Sequence, residues 1–189
     1  MVPRTFVLSL VVLGCLGSGC GDEPVAYSAP VTLNLKAKSS DVAQGALDSE
    51  KSISSETSNP YGTFIQTARA RLGKTDPARV EVTSLSLFLG ANSTGVTTLN
   101  QVFTGPIDVL FQLDGGSNSY PVGHLAAPSG AGPDDFEVDF AFADLEPQDQ
   151  ATFFAGGFKV QLRGPAAPSF AAGGADADLQ LVLEFEAYP

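Results

Sequence analysis

FEVDFAF, residues 136–142, places Phe136, Val138, Phe140 and Phe142 on one side of an extended chain and Glu137 and Asp139 on the other. Successive side chains of a strand point to opposite faces, so a period of two marks one buried face and one wet face. Phe158–Arg163 repeats the pattern, with Phe158, Val160 and Leu162 inward and Lys159, Gln161 and Arg163 outward. Leu179–Ala187 does so through Leu179, Leu181, Leu183 and Phe185, and Pro106–Leu113 through Ile107, Val109, Phe111 and Leu113. Val31–Ala37 buries Val31, Leu33, Leu35 and Ala37.

Arg79–Leu89 is a strand with a fault in it. Val80 and Val82 share one parity, while Leu85, Leu87 and Leu89 share the other. One inserted residue exchanges the two faces, so a bulge is expected near Thr83-Ser84. A further short strand is expected to end at Phe103.

Two segments read as helices. Asn59–Gly73 has a capping Asn59, Pro60 at the first helical position and Gly73 at the stop, with Pro77 beyond. Tyr61, Phe64, Ile65, Ala68 and Leu72 form one apolar stripe at helical spacing, flanked by Arg69 and Arg71. Such a stripe packs on a sheet, with the arginine stems covering its margins; the alternative is a helix presented to a partner or to lipid headgroups. Glu146–Phe154 opens with Pro147 and is stopped by Gly156-Gly157. Lys38–Ser58 is rich in Ser, Asp and Glu and reads as a mobile loop, with a short helix as an option near Val42–Leu47. Leu125–Pro133 and Gly164–Asp176 read as loops rich in small residues.

Roughly six or seven alternating strands with polar outer faces predict a mainly β fold: an antiparallel two-sheet β-sandwich, immunoglobulin-like or similar, with one or two short helices. The strands do not alternate with long helices, which argues against a parallel α/β sheet. No internal repeat or heptad is present. The chain has 189 residues, 43% of them hydrophobic, with 13 Phe and no Trp. That suits one domain with a Phe-rich core. We expect 31–189 to be that domain and 20–30 an extended tether containing two prolines.

The formal net charge is -11. This disfavours nucleic acid and anionic membrane surfaces as partners, since both need positive potential. No Lys or Arg lies between Val80 and Phe158, whereas Glu81, Asp108, Asp114, Asp134, Asp135, Glu137, Asp139, Asp144, Glu146 and Asp149 all do.

Carboxylates are therefore the abundant reactive groups. Two of them facing across a cleft could perform acid/base hydrolysis. Glu137 and Asp139 share a strand face, but charges there more commonly keep a sheet soluble. Calcium favours oxygen ligands from flexible loops, and Asp134-Asp135, Asp176 with Asp178, and Asp114 before Gly-Gly-Ser-Asn are the candidates. No twelve-residue calcium loop accompanies them. His124 is the sole histidine. A triad with Ser129 or Ser119 would lack the Gly-x-Ser-x-Gly elbow. Zinc needs more His or Cys than the domain holds. Gly156-Gly157 stands between helix and strand, the reverse of a dinucleotide fingerprint. Catalytic residues, a metal site and a cofactor are accordingly assigned to none of these groups.

The N-terminal segment gives the address. Met1–Thr5 carries one positive charge, Arg4, and Phe6–Leu16 is almost unbroken apolar sequence. That run is shorter than the ~20 residues needed to span a bilayer, and it suits a signal peptide. Both cysteines of the chain, Cys15 and Cys20, lie in this region. Disulfides and thiol chemistry are thus excluded from the domain.

Leu16-Gly17-Ser18-Gly19-Cys20-Gly21 resembles the lipobox of bacterial lipoproteins. Gly17 stands where that family usually has Leu. Val12-Leu13-Gly14-Cys15 is the competing match. Cys20 is preferred, because the apolar run continues past Cys15 and polar sequence starts after Cys20. The plain alternative is a secretory signal with two incidental cysteines.

The resemblance implies that residues 1–19 are removed. Cys20 then becomes the first residue and carries a diacylglyceryl group and acyl chains such as palmitate. It further implies a membrane partner through that anchor, and a bacterial cell-envelope location, at the outer membrane. The domain is expected to be a non-enzymatic binding or structural module with a protein or glycan partner and no nucleic acid. The alternatives are a carboxylate-dependent envelope hydrolase and a calcium-stabilised adhesion module.

Overall fold

The computed structural model describes residues 26–73, 76–115 and 118–189. The chain is mainly β, and its strands form two antiparallel sheets packed face to face. One sheet has four strands in the order β1 (Tyr27–Lys38), β9 (Asp176–Tyr188), β3 (Arg79–Leu89) and β6 (Asp134–Asp135). The other has five, in the order β2 (Ala46–Ser52), β8 (Phe158–Pro165), β4 (Ile107–Leu113), β5 (Ser119–Leu125) and β7 (Glu137–Val138). Three short helices accompany them, one more than the upper expectation: α1 (Pro60–Arg71), α2 (Pro147–Phe154) and α3 (Pro168–Ala172).

β9 is the centre of its sheet. It pairs with β1 from Tyr27↔Ala187 to Lys38↔Asp176, and on its other edge with β3. The first and last strands are therefore neighbours. Val31, Leu33 and Leu35 face inward with Leu179, Leu181, Leu183 and Phe185, all essentially solvent-free. β3 shifts register between Val82 and Ser84, which sends Val80 and Val82, then Leu85 and Leu87, to the same core. The expected bulge is thus present at Thr83.

FEVDFAF is not one strand. Asp134–Asp135 pair with β3, Glu137–Val138 pair with β5, and the chain passes from one sheet to the other at Phe136. Phe142 opens a 3-10 turn. Phe136, Phe140 and Phe142 are buried as their spacing demands. A segment crossing the open side of a sandwich has core on one side and water on the other, so it shows the strand period without a strand's pairing. Its neighbour β5 lacks alternation for a related reason. Val109 pairs with Gly123 and Leu110 with Pro121, leaving Val122 as an extra residue.

The 38–58 segment differs from its expectation. It contains β2, preceded by a 3-10 turn at Ser39–Asp41 and followed by another at Ile53–Ser55, with no helix at Val42–Leu47. Residues 99–101 form a 3-10 turn, and Phe103 makes only an isolated bridge to Ala166. α3 lies inside the expected 164–176 loop. β1 begins at Tyr27, four residues inside the expected tether.

β2 explains how the exposed edge of β1 is closed. The outward N–H of Asn34 donates to Glu56 Oε1 at 2.6 Å, and Lys51 Nζ donates to the Asn34 carbonyl at 3.0 Å. Lys51 also pairs with Glu56. Ser49 Oγ donates to the Lys36 carbonyl, Lys38 N–H donates to Asp41, and Pro30 has no N–H to offer. An open edge is a template for pairing with another chain, and here side chains occupy it.

Burial raises the Glu56 carboxyl, but the hydrogen bonds from Lys51 and Asn34 outweigh it and hold the group below its ordinary range. A depressed folded-state value means stabilisation that is full at neutral pH and lost as pH falls through that value. We expect Glu56→Gln to cost about 1–3 kcal/mol at pH 7, because it weakens a charged acceptor of which only 8% is exposed. The difference from wild type should shrink well below the ordinary Glu value of ~4.3. Urea unfolding followed by circular dichroism at both pH values checks this; an undiminished difference in acid rules it out.

α1 is capped as expected: Asn59 accepts from the Gly62 N–H at 3.0 Å, from a left-handed backbone at φ 40°. Tyr61, Phe64, Ile65 and Ala68 are buried. They close one end of the sandwich together with Phe153 of α2, Phe158 and Phe185.

Candidate functional site

Three groups of polar side chains merit description: a charged row across the five-stranded sheet, a pin at the start of α2, and the end of the sandwich from which the tether departs.

The row takes one residue from each strand. Asp48 on β2 is opposite Arg163 on β8, which is opposite Asp108 on β4; Asp108 is opposite His124 on β5, and His124 is opposite Glu137 on β7. Within it, His124 Nδ1 and Asp108 Oδ1 are 2.8 Å apart. Both are open to water, with side-chain exposures of 43% and 48%. A carboxylate holding an imidazole is two-thirds of a triad. The serines nominated for the rest are elsewhere. Ser129 donates through its N–H and its hydroxyl to Asp134. Ser119 lies five residues along β5, about 17 Å from His124 at strand rise. The row is a stripe of acidic and basic side chains with one imidazole on an open sheet face, and neither nominated serine stands in it.

The other carboxylates are dispersed. Asp134 fastens its own loop, and Asp135 pairs in β6. Asp176 and Asp178 belong to β9 and not to a loop, and Asp178 accepts from Asn92 Nδ2 at 3.2 Å. Glu137 and Asp139 are exposed. Among the described residues no group of three His, Cys, Asp or Glu is arranged to hold a metal ion.

Asp149 is one of two buried polar residues among the described residues. It accepts from Tyr120 Oη at 2.6 Å and from Asn118 Nδ2 at 2.9 Å, and these bonds hold its carboxyl below the ordinary range. Burial, then the bond to Asp149, raises the Tyr120 hydroxyl. Tyr120 Oη also accepts from the Glu146 N–H. The set pins the first turn of α2 to β5, a structural task. Among the described residues no buried side-chain nitrogen or oxygen lacks a hydrogen-bond partner, so none of them is left pointing at an unfilled position.

The tether end is formed by the start of β1, the end of β9, the start of β3 and the last turn of α1. Tyr27 stacks on Phe64 with ring centroids 5.6 Å apart, and the Arg71 guanidinium lies over its ring at 5.8 Å. Arg79 lies over the Tyr188 ring at 4.1 Å. Arg69 pairs with Asp76. The sequence marked Arg69 and Arg71 as stem-covering residues. It did not link Arg71 to Tyr27, because only the packing of α1 against the start of β1 brings the two together.

Cys20, the nominated lipidation residue, lies outside the described residues, as do Cys15 and the signal segment.

This is a two-sheet β-sandwich whose exposed features are a charged sheet face and an arginine–tyrosine end. No protein-family model matches the chain, and no curated protein matches it. Among solved structures, a chain of the empty head of turnip yellow mosaic virus is similar at 12% identity, with 98% of this chain and 90% of that chain covered and a TM-score of 0.31. A likeness that loose carries nothing about function.

Proposed function

We propose that the protein is a lipid-anchored bacterial envelope lipoprotein whose β-sandwich is a non-enzymatic binding or structural module. The observation that carries this reading is the N-terminal sequence. A short apolar run ends in small residues at Cys20, and the first strand begins only seven residues later at Tyr27. A chain of that length reaches at most about 25 Å. The domain is then held close to the lipid that Cys20 would carry, in the cell envelope and at the outer membrane. Among the described residues no helix is long and apolar enough to cross a membrane. The open charged face of the five-stranded sheet is the surface such a module offers to a polar protein or glycan.

The test is chemical. Expressed with its own signal in a bacterium, the mature protein should begin at Cys20, carry a diacylglyceryl mass there and sediment with membranes. Cys20→Ala should move it wholly to the soluble fraction, while Cys15→Ala should not. Loss of the anchor only on Cys15→Ala would move the site upstream. A mature chain with no acyl mass on either cysteine would leave an ordinary secreted domain and end the proposal.

A further inference from the structure

We propose that the tether end of the sandwich, with Arg71 set over Tyr27 and Arg79 over Tyr188, rests against an anionic phospholipid headgroup surface and so sets the orientation of the domain on its membrane. The inference rests on the anchor at Cys20 and goes beyond it, since a lipid tether alone leaves the domain free to tumble.

Position is the first support. Tyr27 is paired with Ala187, and Ala187 with Val80, in one row across three strands. Arg79 and Tyr188 sit one residue further out. With strands about 4.8 Å apart, Tyr27 and Val80 lie within about 10 Å of each other. This is the end from which the seven-residue connection to Cys20 leaves, so it is the end nearest the lipid.

Chemistry is the second. Tyrosine has an apolar body and a polar tip, and it concentrates where one side is oily and the other wet. Arginine extends an apolar stem and presents donors that match phosphate. Here two of each are stacked in pairs, and the rings hold the guanidinium groups in place. Three acids of this end have partners within the protein. Asp76 pairs with Arg69, Glu186 accepts the Tyr188 hydroxyl, and Glu81 accepts the Phe142 N–H while lying 4.0 Å from Arg79. Among the described residues no carboxylate lies within salt-bridge distance of Arg71.

The acidic balance of the whole chain disfavours an anionic surface, but distance limits its effect at this end. Screening limits charge interactions to about 8–10 Å in physiological salt. β3 alone, at eleven residues, spans about 37 Å. Carboxylates at its far end are several screening lengths from the surface, and the residues of the tether end decide the contact. Asp22 and Glu23 of the connection are the counterweight to be overcome.

The experiment uses the full lipidated protein on vesicles of phosphatidylcholine alone and of phosphatidylcholine with phosphatidylglycerol. Hydroxyl-radical footprinting read by mass spectrometry reports side-chain exposure. We expect Tyr27 and Tyr188 to be oxidised at least about twofold less on the anionic vesicles, with Phe88 and His124 unchanged as markers of the opposite end. Reversal at Arg71→Glu with Arg79→Glu should abolish that difference. Neutralisation at Arg71→Gln with Arg79→Gln should do so more gently, and Lys36→Glu with Lys38→Glu should leave it intact. Thermal melts establish that each variant is folded. Absence of acyl mass on the Cys20 peptide removes the anchor and this inference together. Acylated protein with equal footprints on both vesicles overturns the inference and leaves the anchor standing. Protection that survives reversal at both arginines also overturns it.

Discussion

Tyr61→Ala should lower the stability of the domain by about 3–5 kcal/mol, the range for removing a large aromatic from a packed core. Tyr61 is 1% exposed. Its ring meets Phe158 and Phe185 at 5.1 Å, Phe153 at 5.8 Å and Phe64 at 6.0 Å. These partners come from β8, β9, α2 and α1 itself, so one side chain joins both sheets to both end helices. A typical domain has a total stability of only about 5–15 kcal/mol, which makes this loss a large share.

Tyr61→Phe separates packing from hydrogen bonding. The hydroxyl donates to the Phe153 carbonyl at 3.0 Å, but that carbonyl also accepts from the Gly156 N–H at 2.9 Å. Nothing buried is left unpaired, so the expected cost is about 1 kcal/mol. Burial pushes the Tyr61 hydroxyl well above the ordinary tyrosine range, against a smaller opposing effect of the Arg69 charge. The group therefore remains a donor at neutral pH, and its contribution would fade only in strong alkali. Denaturant unfolding followed by far-ultraviolet circular dichroism suits a chain without Trp. Equal costs for Ala and Phe would show that the aromatic cluster is not what joins the layers.

Gly132→Ala is the second large effect, expected at roughly 2–5 kcal/mol from overpacking and backbone strain together. Gly132 has φ +94°, and an added Cβ would stand 2.4 Å from the Leu87 carbonyl oxygen and 2.9 Å from the Phe88 Cα. Both are backbone atoms of β3 and cannot rotate away. The loop is held there by the Leu89 N–H on the Ala131 carbonyl and the Leu99 N–H on the Gly130 carbonyl. Gly130→Ala is the control. Its φ is +48°, with nothing within 4 Å of the added carbon, so only the conformational cost of about 1 kcal/mol applies. If the two variants are equally stable, the close approach of this loop to β3 is wrong.

Glycine at 132 also shows what the chain itself could not disclose. In sequence, 125–133 is a stretch of small residues. Its partner, β3, is over forty residues away, and no local signal announces the contact. The same holds for β5. Its bulge at Val122 and its Pro121 erase the alternation that identified the other long strands. FEVDFAF erred the other way, showing a clear period while crossing between the sheets. Side-chain periodicity records which side of the chain is dry, and the identity of the hydrogen-bonding neighbour does not enter it.

Local physics was legible. Val80 and Val82 against Leu85 and Leu87 reported the β3 bulge directly, because a slip of one residue must move apolar side chains to the other face. Asn59 and Pro60 reported the start of α1 through capping and fixed φ, and the α1 stripe reported its buried face. The polar surface was half legible. His124 was visible as a lone histidine, but its partner Asp108 was one of many carboxylates until two strands aligned them.

The sequence by itself determined a mainly β domain with a Phe-rich core, the helix at 59–73, the bulge in β3 and the composition of the outer faces. All of these follow from interactions between residues a few positions apart. The tertiary structure alone decided that the first strand pairs with the last and that side chains from β2 to Glu56 seal the edge of β1. It decided also that Asp48, Arg163, Asp108, His124 and Glu137 form one row, and that Tyr27, Arg71, Arg79 and Tyr188 share one end. Each of these joins residues far apart along the chain. Such pairings are selected by the packing of whole sheets, because every inward apolar face must find its cover at once.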